Sequence, residues 1–152
     1  MPGKAVFAAL TAALLGGCAS VPLADQAETT KAKLFNAPGA GMSGLYVYRD
    51  SSFGGALKKD IFVDGKCLGE SAPKSFFHEE LPGDQKHTIS TESEFSPNDL
   101  SIDMKAGINY FVRQYIKLGV FVGGANVEQV SEEKAKDAIS GLKLAAPGHC
   151  SK

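Results

Sequence analysis

Three cysteines, three histidines and a few hydroxyls carry whatever reactive chemistry this 152-residue chain offers. Cys18 stands directly after Leu15-Gly16-Gly17 and an apolar run of 11 residues, Ala5 to Leu15, that follows the positive charge of Lys4. A thiol behind two small residues at that place is a nucleophile set beside a cleavable peptide bond. The run is too short to cross a bilayer, which takes roughly 20 apolar residues of helix. Cys67 and Cys150 are the remaining thiols, and in an oxidising compartment an even pair invites a disulfide. That bond would close a loop of about 80 residues, an entropic constraint on the order of 4 kcal/mol. The alternative is two unpaired thiols, one in a strand and one on a frayed tail. Zinc takes four Cys or His ligands with local spacing, whereas Cys67, Cys150, His78, His87 and His149 are scattered, so neither metal nor cofactor is expected.

Nucleophilic and acid–base catalysis find little support. His78-Glu79-Glu80 is not His-Glu-x-x-His, and it falls in an expected strand where neighbours point to opposite faces, with His78 and Glu80 sharing one side. His87 follows a turn and His149 sits on a polar tail, neither with a visible partner. Ser51-Ser52 and Ser90-Thr91 supply hydroxyls without a Gly-x-Ser-x-Gly elbow, and no phosphate-binding loop or dinucleotide fingerprint is present. The expectation is a non-catalytic chain, with a hydrolase assembled only in three dimensions as the remote alternative.

Short strands separated by turn residues must position these groups. From Gly44 to Val130 the pattern is that of an antiparallel all-β domain. In Leu45 to Arg49 the apolar residues fall on both faces, Tyr46 and Tyr48 on one and Leu45 and Val47 on the other, which predicts a central strand. Ile61-Phe62-Val63 and Cys67-Leu68-Gly69 flank Asp64-Gly65, a two-residue hairpin turn. Strands follow at Ser75 to Leu81, Lys86 to Glu92 and Asp99 to Met104. The longest is Ile108 to Lys117, with Ile108, Tyr110, Val112 and Ile116 facing the core and Phe111, Arg113 and Tyr115 facing away. Asn126 to Val130 is the last strand.

A helix near 131–141 starts at Ser131 with Glu132 and Glu133 in its first turn and stops at Gly141. Its stripe of Ala135, Ala138, Ile139 and Leu142 either packs on the sandwich or receives a partner. Residues 18–32, small and polar with Pro22, read as a lipid-proximal tether containing one short helix between Ala24 and Phe35.

Tyr46, Tyr48, Phe111, Arg113 and Tyr115 would compose an aromatic and cationic face on which partners or sugars stack, unless a helix or strand covers them. Val120-Phe121-Val122, between glycines, is either a buried strand or an exposed apolar patch for membrane or protein. Tyr46, Tyr48, Phe111, Arg113, Tyr115, Val120 and Phe121 form the candidate binding surface.

Leu15-Gly16-Gly17-Cys18 resembles the lipobox of bacterial lipoproteins. The resemblance implies cleavage before Cys18, acylation of its sulfur and of the new amino group, and a signal peptide spanning residues 1–17. In such proteins an aspartate after the cysteine favours inner-membrane retention; Ala19 here implies the outer membrane, facing the periplasm. The mature chain then has 135 residues, the size of one domain. Losing Lys4 leaves 15 basic against 17 acidic residues, which gives no footprint for nucleic acid.

Behind the lipobox, Tyr46-Val47-Tyr48-Arg49, Val63-Asp64-Gly65-Lys66-Cys67-Leu68-Gly69, Leu81-Pro82-Gly83 followed by His87, and Gly107-Ile108-Asn109-Tyr110-Phe111-Val112-Arg113 occur in an order similar to a family of bacterial lipoproteins built on a conserved domain of unknown function. The likeness covers roughly residues 33 to 145 and implies an immunoglobulin-like or transthyretin-like β-sandwich with no catalytic residues to transfer. The sandwich domain is expected over 33–152. The expected role is a lipid-anchored module that binds another envelope protein or supports assembly, with a glycan or small-molecule binding module as the alternative.

Overall fold

The computed structural model describes residues 17–151. The expected leader, including Lys4 and the run Ala5 to Leu15, lies outside the described residues apart from Gly17. Among the described residues nine strands form two sheets. One has five strands in the order β8 (Gly124–Val130), β7 (Asn109–Lys117), β1 (Met42–Arg49), β4 (Ser75–Pro82) and β9 (Lys143–Leu144). The other has four, β3 (Lys66–Ser71), β2 (Lys59–Val63), β5 (Gln85–Thr91) and β6 (Asn98–Met104). Two helices, α1 (Gln26–Ala32) and α2 (Glu132–Ser140), complete the fold. The result is the expected β-sandwich with a short C-terminal helix. Its pairing is antiparallel except where β1 runs parallel to β7 and β4 parallel to β9.

Sequence alternation explains the layers. Leu45 and Val47 point between the sheets, where they meet Ile61, Phe77, Ile89, Met104 and Val112 in the main core. Asp64 and Gly65 both have positive φ, 50° and 76°, the geometry of the two-residue turn that Asp-Gly favours. The β2–β3 pairing also carries a register shift between Ile61 and Phe62, which the sequence pattern does not announce.

The opposite face of the five-stranded sheet has its own apolar layer. Tyr46, Tyr48, Phe76 and Phe111 lie under Ala32 of α1, Ala135 and Ile139 of α2, and Leu142. The C-terminal helix therefore uses its stripe to cover the sheet. Phe35 joins this layer and packs on Tyr46 and Phe111, whereas Leu34, also expected to dock, stays 63% exposed. Ser131 occupies the N-cap of α2 in extended conformation without a side-chain cap bond, and Gly141 is its C-cap.

The tether expectation over residues 18–32 is corrected: this stretch lies along the body. The Ala19 amide donates to the Gly55 carbonyl at 2.7 Å and the Ala24 amide to the Leu144 carbonyl at 2.9 Å. Leu23 bridges to Ala145, and Val21 packs against the main core. Backbone groups that would otherwise be left to water find partners on the edge beyond β9. Residues 26–32 become helical because Asp25 and Glu28 form a reciprocal capping box. Ile108, assigned to the inward face by alternation, precedes β7 and is 49% exposed.

Cys67 and Cys150 form a disulfide across a sequence separation of 83. It fixes the C-terminal segment to β3, where the His149 carbonyl accepts from the Glu70 amide and the Leu68 carbonyl from the Gly148 amide. A Cys67→Ser/Cys150→Ser variant is expected to lose about 2–4 kcal/mol of unfolding free energy. Urea unfolding measures it, and a midpoint unchanged from the parent protein would show that the bridge adds nothing to the fold.

Candidate functional site

The expected stacking face does not exist as a surface. Tyr46 and Tyr48 are 1% exposed and Phe111 is 2% exposed, because α1 and α2 close over the sheet. Burial, with the charge of Glu80 adding to it, pushes the Tyr46 phenol up to about 12, and its hydroxyl donates to the Ala32 carbonyl at 3.1 Å. These three rings are core and are withdrawn from the candidate binding surface. Arg113 and Tyr115 remain half-buried at its margin. Arg113 pairs with Asp50 at 2.8 Å and Glu128 at 3.3 Å, and its guanidinium lies 5.7 Å from the centre of the Tyr115 ring. It is a satisfied ion pair, not a free cation.

The histidines are likewise engaged. His87 is buried, with Nδ1 donating to Asp64 at 2.6 Å and Nε2 donating to the Pro82 carbonyl at 2.8 Å. With an acceptor facing each ring nitrogen, the site favours the imidazolium form. Burial pulls its pKa down, but the bonds to Asp64 and Pro82 and the Asp64 charge together hold it above the ordinary value. With neither nitrogen free, it is no general base. His78 stacks on Tyr46 with ring centres 4.3 Å apart, and burial lowers its pKa against the opposing charge of Glu80. His78 and Glu80 do share one face, lining an open cleft of about 500 Å³ with Lys31, Asn36 and Tyr46. Among the described residues no hydrogen bond orients the His78 ring, and no cluster of His, Cys, Asp and Glu suits a metal ion. Ser51 accepts from the Phe53 amide, and Thr91 is buried and donates to the Asp60 carbonyl.

A different cluster gathers where β1, β5 and β7 end. Parallel pairing of β1 with β7, Tyr48 opposite Arg113, brings their C-terminal ends together. Arg49, 1% exposed at the end of β1, donates to the carbonyls of Leu57 at 2.6 Å and Gly54 at 2.8 Å. That clamps residues 53–57 over the sandwich. Gly54, at φ +66°, leaves no room for a side chain, since a Cβ would stand 2.8 Å from Ile116.

The clamped loop receives the start of the described chain. The Ala19 amide bonds to Gly55, and the Cys18 sulfur sits 3.8 Å from where a Gly55 Cβ would be. Cys18 is exposed and is the free thiol among the described residues. On the same clamped loop, residues 118–123 pack through Gly123 against Leu57 and are held by Glu94, whose carboxylate accepts from the amides of Val120, Phe121 and Val122. The apolar side chains of this end point outward: Leu118 is 85% and Phe121 83% exposed, with Phe53, Phe95, Val120 and Val122 beside them. Of the expected binding surface, Val120 and Phe121 are thus the members brought to the solvent, and near Cys18.

Sequence reasoning missed the Arg49 clamp, for a lone Arg at the end of an apolar strand looks like an ordinary strand terminus. It also missed Gln114, which is buried between the sheets and bonded to Ser71 and Thr91. Its place in phase with Val112 and Ile116 was the available signal.

Two outcomes follow from this geometry. Arg49→Met removes donors from buried carbonyls and is expected to cost about 2–4 kcal/mol. Faster hydrogen exchange at the Ala19 amide should accompany it, and unchanged exchange there would refute the clamp. For the His87–Asp64 pair, burial raises the Asp64 pKa, but the bonds from His87 and the Thr88 amide and the charges of His87 and Lys66 bring it below normal. The raised His87 pKa adds stability present below the ordinary value near 6.5 and lost as pH rises through the folded value. The lowered Asp64 pKa adds stability present above its ordinary value near 3.9 and lost as pH falls through the folded value. The gap in denaturation midpoint between the parent and Asp64→Asn should therefore be widest between roughly pH 4 and 6.5; a constant gap from acid to alkali would exclude the charged pair.

Comparison with known proteins adds a family and no activity. A family described as "Protein of unknown function (DUF2846)" matches residues 39–125, from the approach to β1 into β8. An uncharacterised protein of Haemophilus influenzae is 58% identical over 134 residues, covering 88% of this chain and 79% of its own length. No solved structure matches. The chain therefore belongs to the DUF2846 family of proteins of unknown function.

Proposed function

We propose that this protein is a lipid-anchored, non-catalytic lipoprotein of the bacterial outer membrane, facing the periplasm, whose sandwich binds another envelope protein or supports an envelope assembly. The observation that carries the reading is the state of the cysteines. Cys67 and Cys150 are joined, as suits an oxidising compartment, while Cys18 stands exposed and free directly behind Leu15-Gly16-Gly17. Transfer of a diacylglyceryl group from a phospholipid to the Cys18 sulfur, with the headgroup phosphate leaving and the thiol proton lost, would be followed by hydrolysis of the Gly17–Cys18 bond and acylation of the freed amino group from a second phospholipid, which leaves as its lyso form. Ala19 at the following position favours the outer membrane over the inner.

Anchoring confines the domain to one surface and raises its effective concentration toward partners there, so modest affinity suffices. The non-catalytic part of the reading draws on two histidines: both ring nitrogens of His87 are bonded, and the His78 ring, stacked on Tyr46, has no hydrogen-bonding partner among the described residues to orient it as a base. A sugar-stacking role loses its surface to α1 and α2.

Mass spectrometry of the protein from native membranes should give an N-terminal fragment beginning at Cys18 with three fatty acyl chains, and Cys18→Ala should leave the precursor uncleaved and without acyl mass. An unmodified Cys18 in native material would overturn the anchor. Crosslinking in intact cells followed by affinity capture should return a reproducible envelope protein; repeated capture of none would overturn the binding role.

A further inference from the structure

Six large apolar side chains at the Cys18 end, Phe53, Phe95, Leu118, Val120, Phe121 and Val122, stand exposed among the described residues. We propose that it is a membrane-contact surface: these side chains enter the lipid interface beside the anchored cysteine, so that the sandwich sits end-on against the bilayer. The proposal rests on acylation of Cys18 and adds to it an orientation and a second, non-covalent attachment.

Three features commit the surface to lipid. First, no slack separates anchor from body. The Ala19 amide is bonded to Gly55, and Phe53 lies two residues away in the loop that Arg49 clamps, so acyl chains leaving Cys18 draw this end of the sandwich to the headgroups. Any protein covering the cluster would have to fit between the body and its own anchor.

Second, the cluster is one continuous surface with the anchor. Leu57 of the clamped loop packs at Gly123, and Glu94, next to Phe95, holds residues 120–122. Third, the backbone is prepared for a medium poor in water. Unpaired amides are costly at a lipid boundary, and here the amides of Val120, Phe121 and Val122 are already bonded to the Glu94 carboxylate.

The test uses the full acylated protein reconstituted into phosphatidylethanolamine/phosphatidylglycerol vesicles that carry a nitroxide-bearing phospholipid as quencher. With Cys18 acylated and Cys67 bonded to Cys150, a thiol introduced by Phe121→Cys takes an environment-sensitive maleimide fluorophore selectively. Lys105→Cys labels the opposite end, after β6. The expected result is a blue shift and strong quenching of the Phe121 label and neither for the Lys105 label.

Equal emission from both sites, on protein that carries the acyl mass and floats with the vesicles, would overturn the contact surface and leave the anchor standing. A Phe121 label shielded from aqueous iodide yet untouched by the lipid quencher would assign the cluster to a protein or a second copy and overturn the proposal. Absence of acyl mass, with no flotation, would overturn the anchor and the contact surface together.

Discussion

Strand β1 is buried along both faces from Leu45 to Arg49, and the rest of the molecule is arranged to make that possible. Most strands of a sandwich need cover on one side only. Here alternate residues feed two apolar layers, Leu45 and Val47 into the space between the sheets, Tyr46 and Tyr48 into a layer on the outer face. Leaving the second layer in water would forfeit on the order of 2 kcal/mol for each large side chain. The helices are the lid. Neither is long enough to be stable alone, so each is held by what it covers and by ties between them, such as the Lys33 ammonium on the Ser140 carbonyl at 2.9 Å. Asn109 fastens the chain leaving α1, donating to the carbonyls of Phe35 and Asn36.

The same strand ends in a charge that has no carboxylate. Burial lowers the pKa of Arg49, and its two terminal nitrogens donate to carbonyl oxygens of one loop while Nε has no partner among the described residues. A buried cation without a counterion is costly unless its donors are used, and this one converts that requirement into loop geometry. Residues 53–57 must come back over the strand end, Gly54 must be glycine, and Gly55 is left presenting its carbonyl to Ala19. The position of Cys18 is thus a consequence of where β1 stops.

Much of the framework was legible because it depends on local rules. Asp64-Gly65 dictates its hairpin whatever surrounds it, the alternation of Leu100, Ile102 and Met104 sets the inward face of β6, and Gly141 stops α2. The aromatic face was misassigned because alternation says which residues share a side, never whether that side is wet. Tyr46, Tyr48 and Phe111 are equally good as a stacking surface or as a second core, and only the docking of α1 and α2, each more than ten residues away in the chain, separates the two. Residues 18–32 read as a tether for a related reason. Their composition is polar and small, but the bonds that hold them are made by backbone groups, to Gly55 and Leu144, and backbone pairing leaves no compositional trace. The parallel partnership of β1 with β7 and the two-residue strand β9 were beyond reach on the same ground.

Both ends of the described chain finish on the body, and they finish together. Leu23 bridges to Ala145, Ala24 bonds to Leu144, and the Ala146 amide donates to the Pro22 carbonyl at 2.9 Å. Beyond that strip the C-terminal segment is bolted to β3 by Cys67–Cys150 and reaches the Asp60 carboxylate through the Ser151 amide at 2.9 Å. A pull on Cys18 would therefore not unravel a loose end. It would pass through Gly55 into the Arg49 clamp and through residues 22–24 into β9, and thence to β4 and to β1 itself. A load applied at that point would reach the most buried strand of the protein from two sides, through the Arg49 clamp and through β9 and β4.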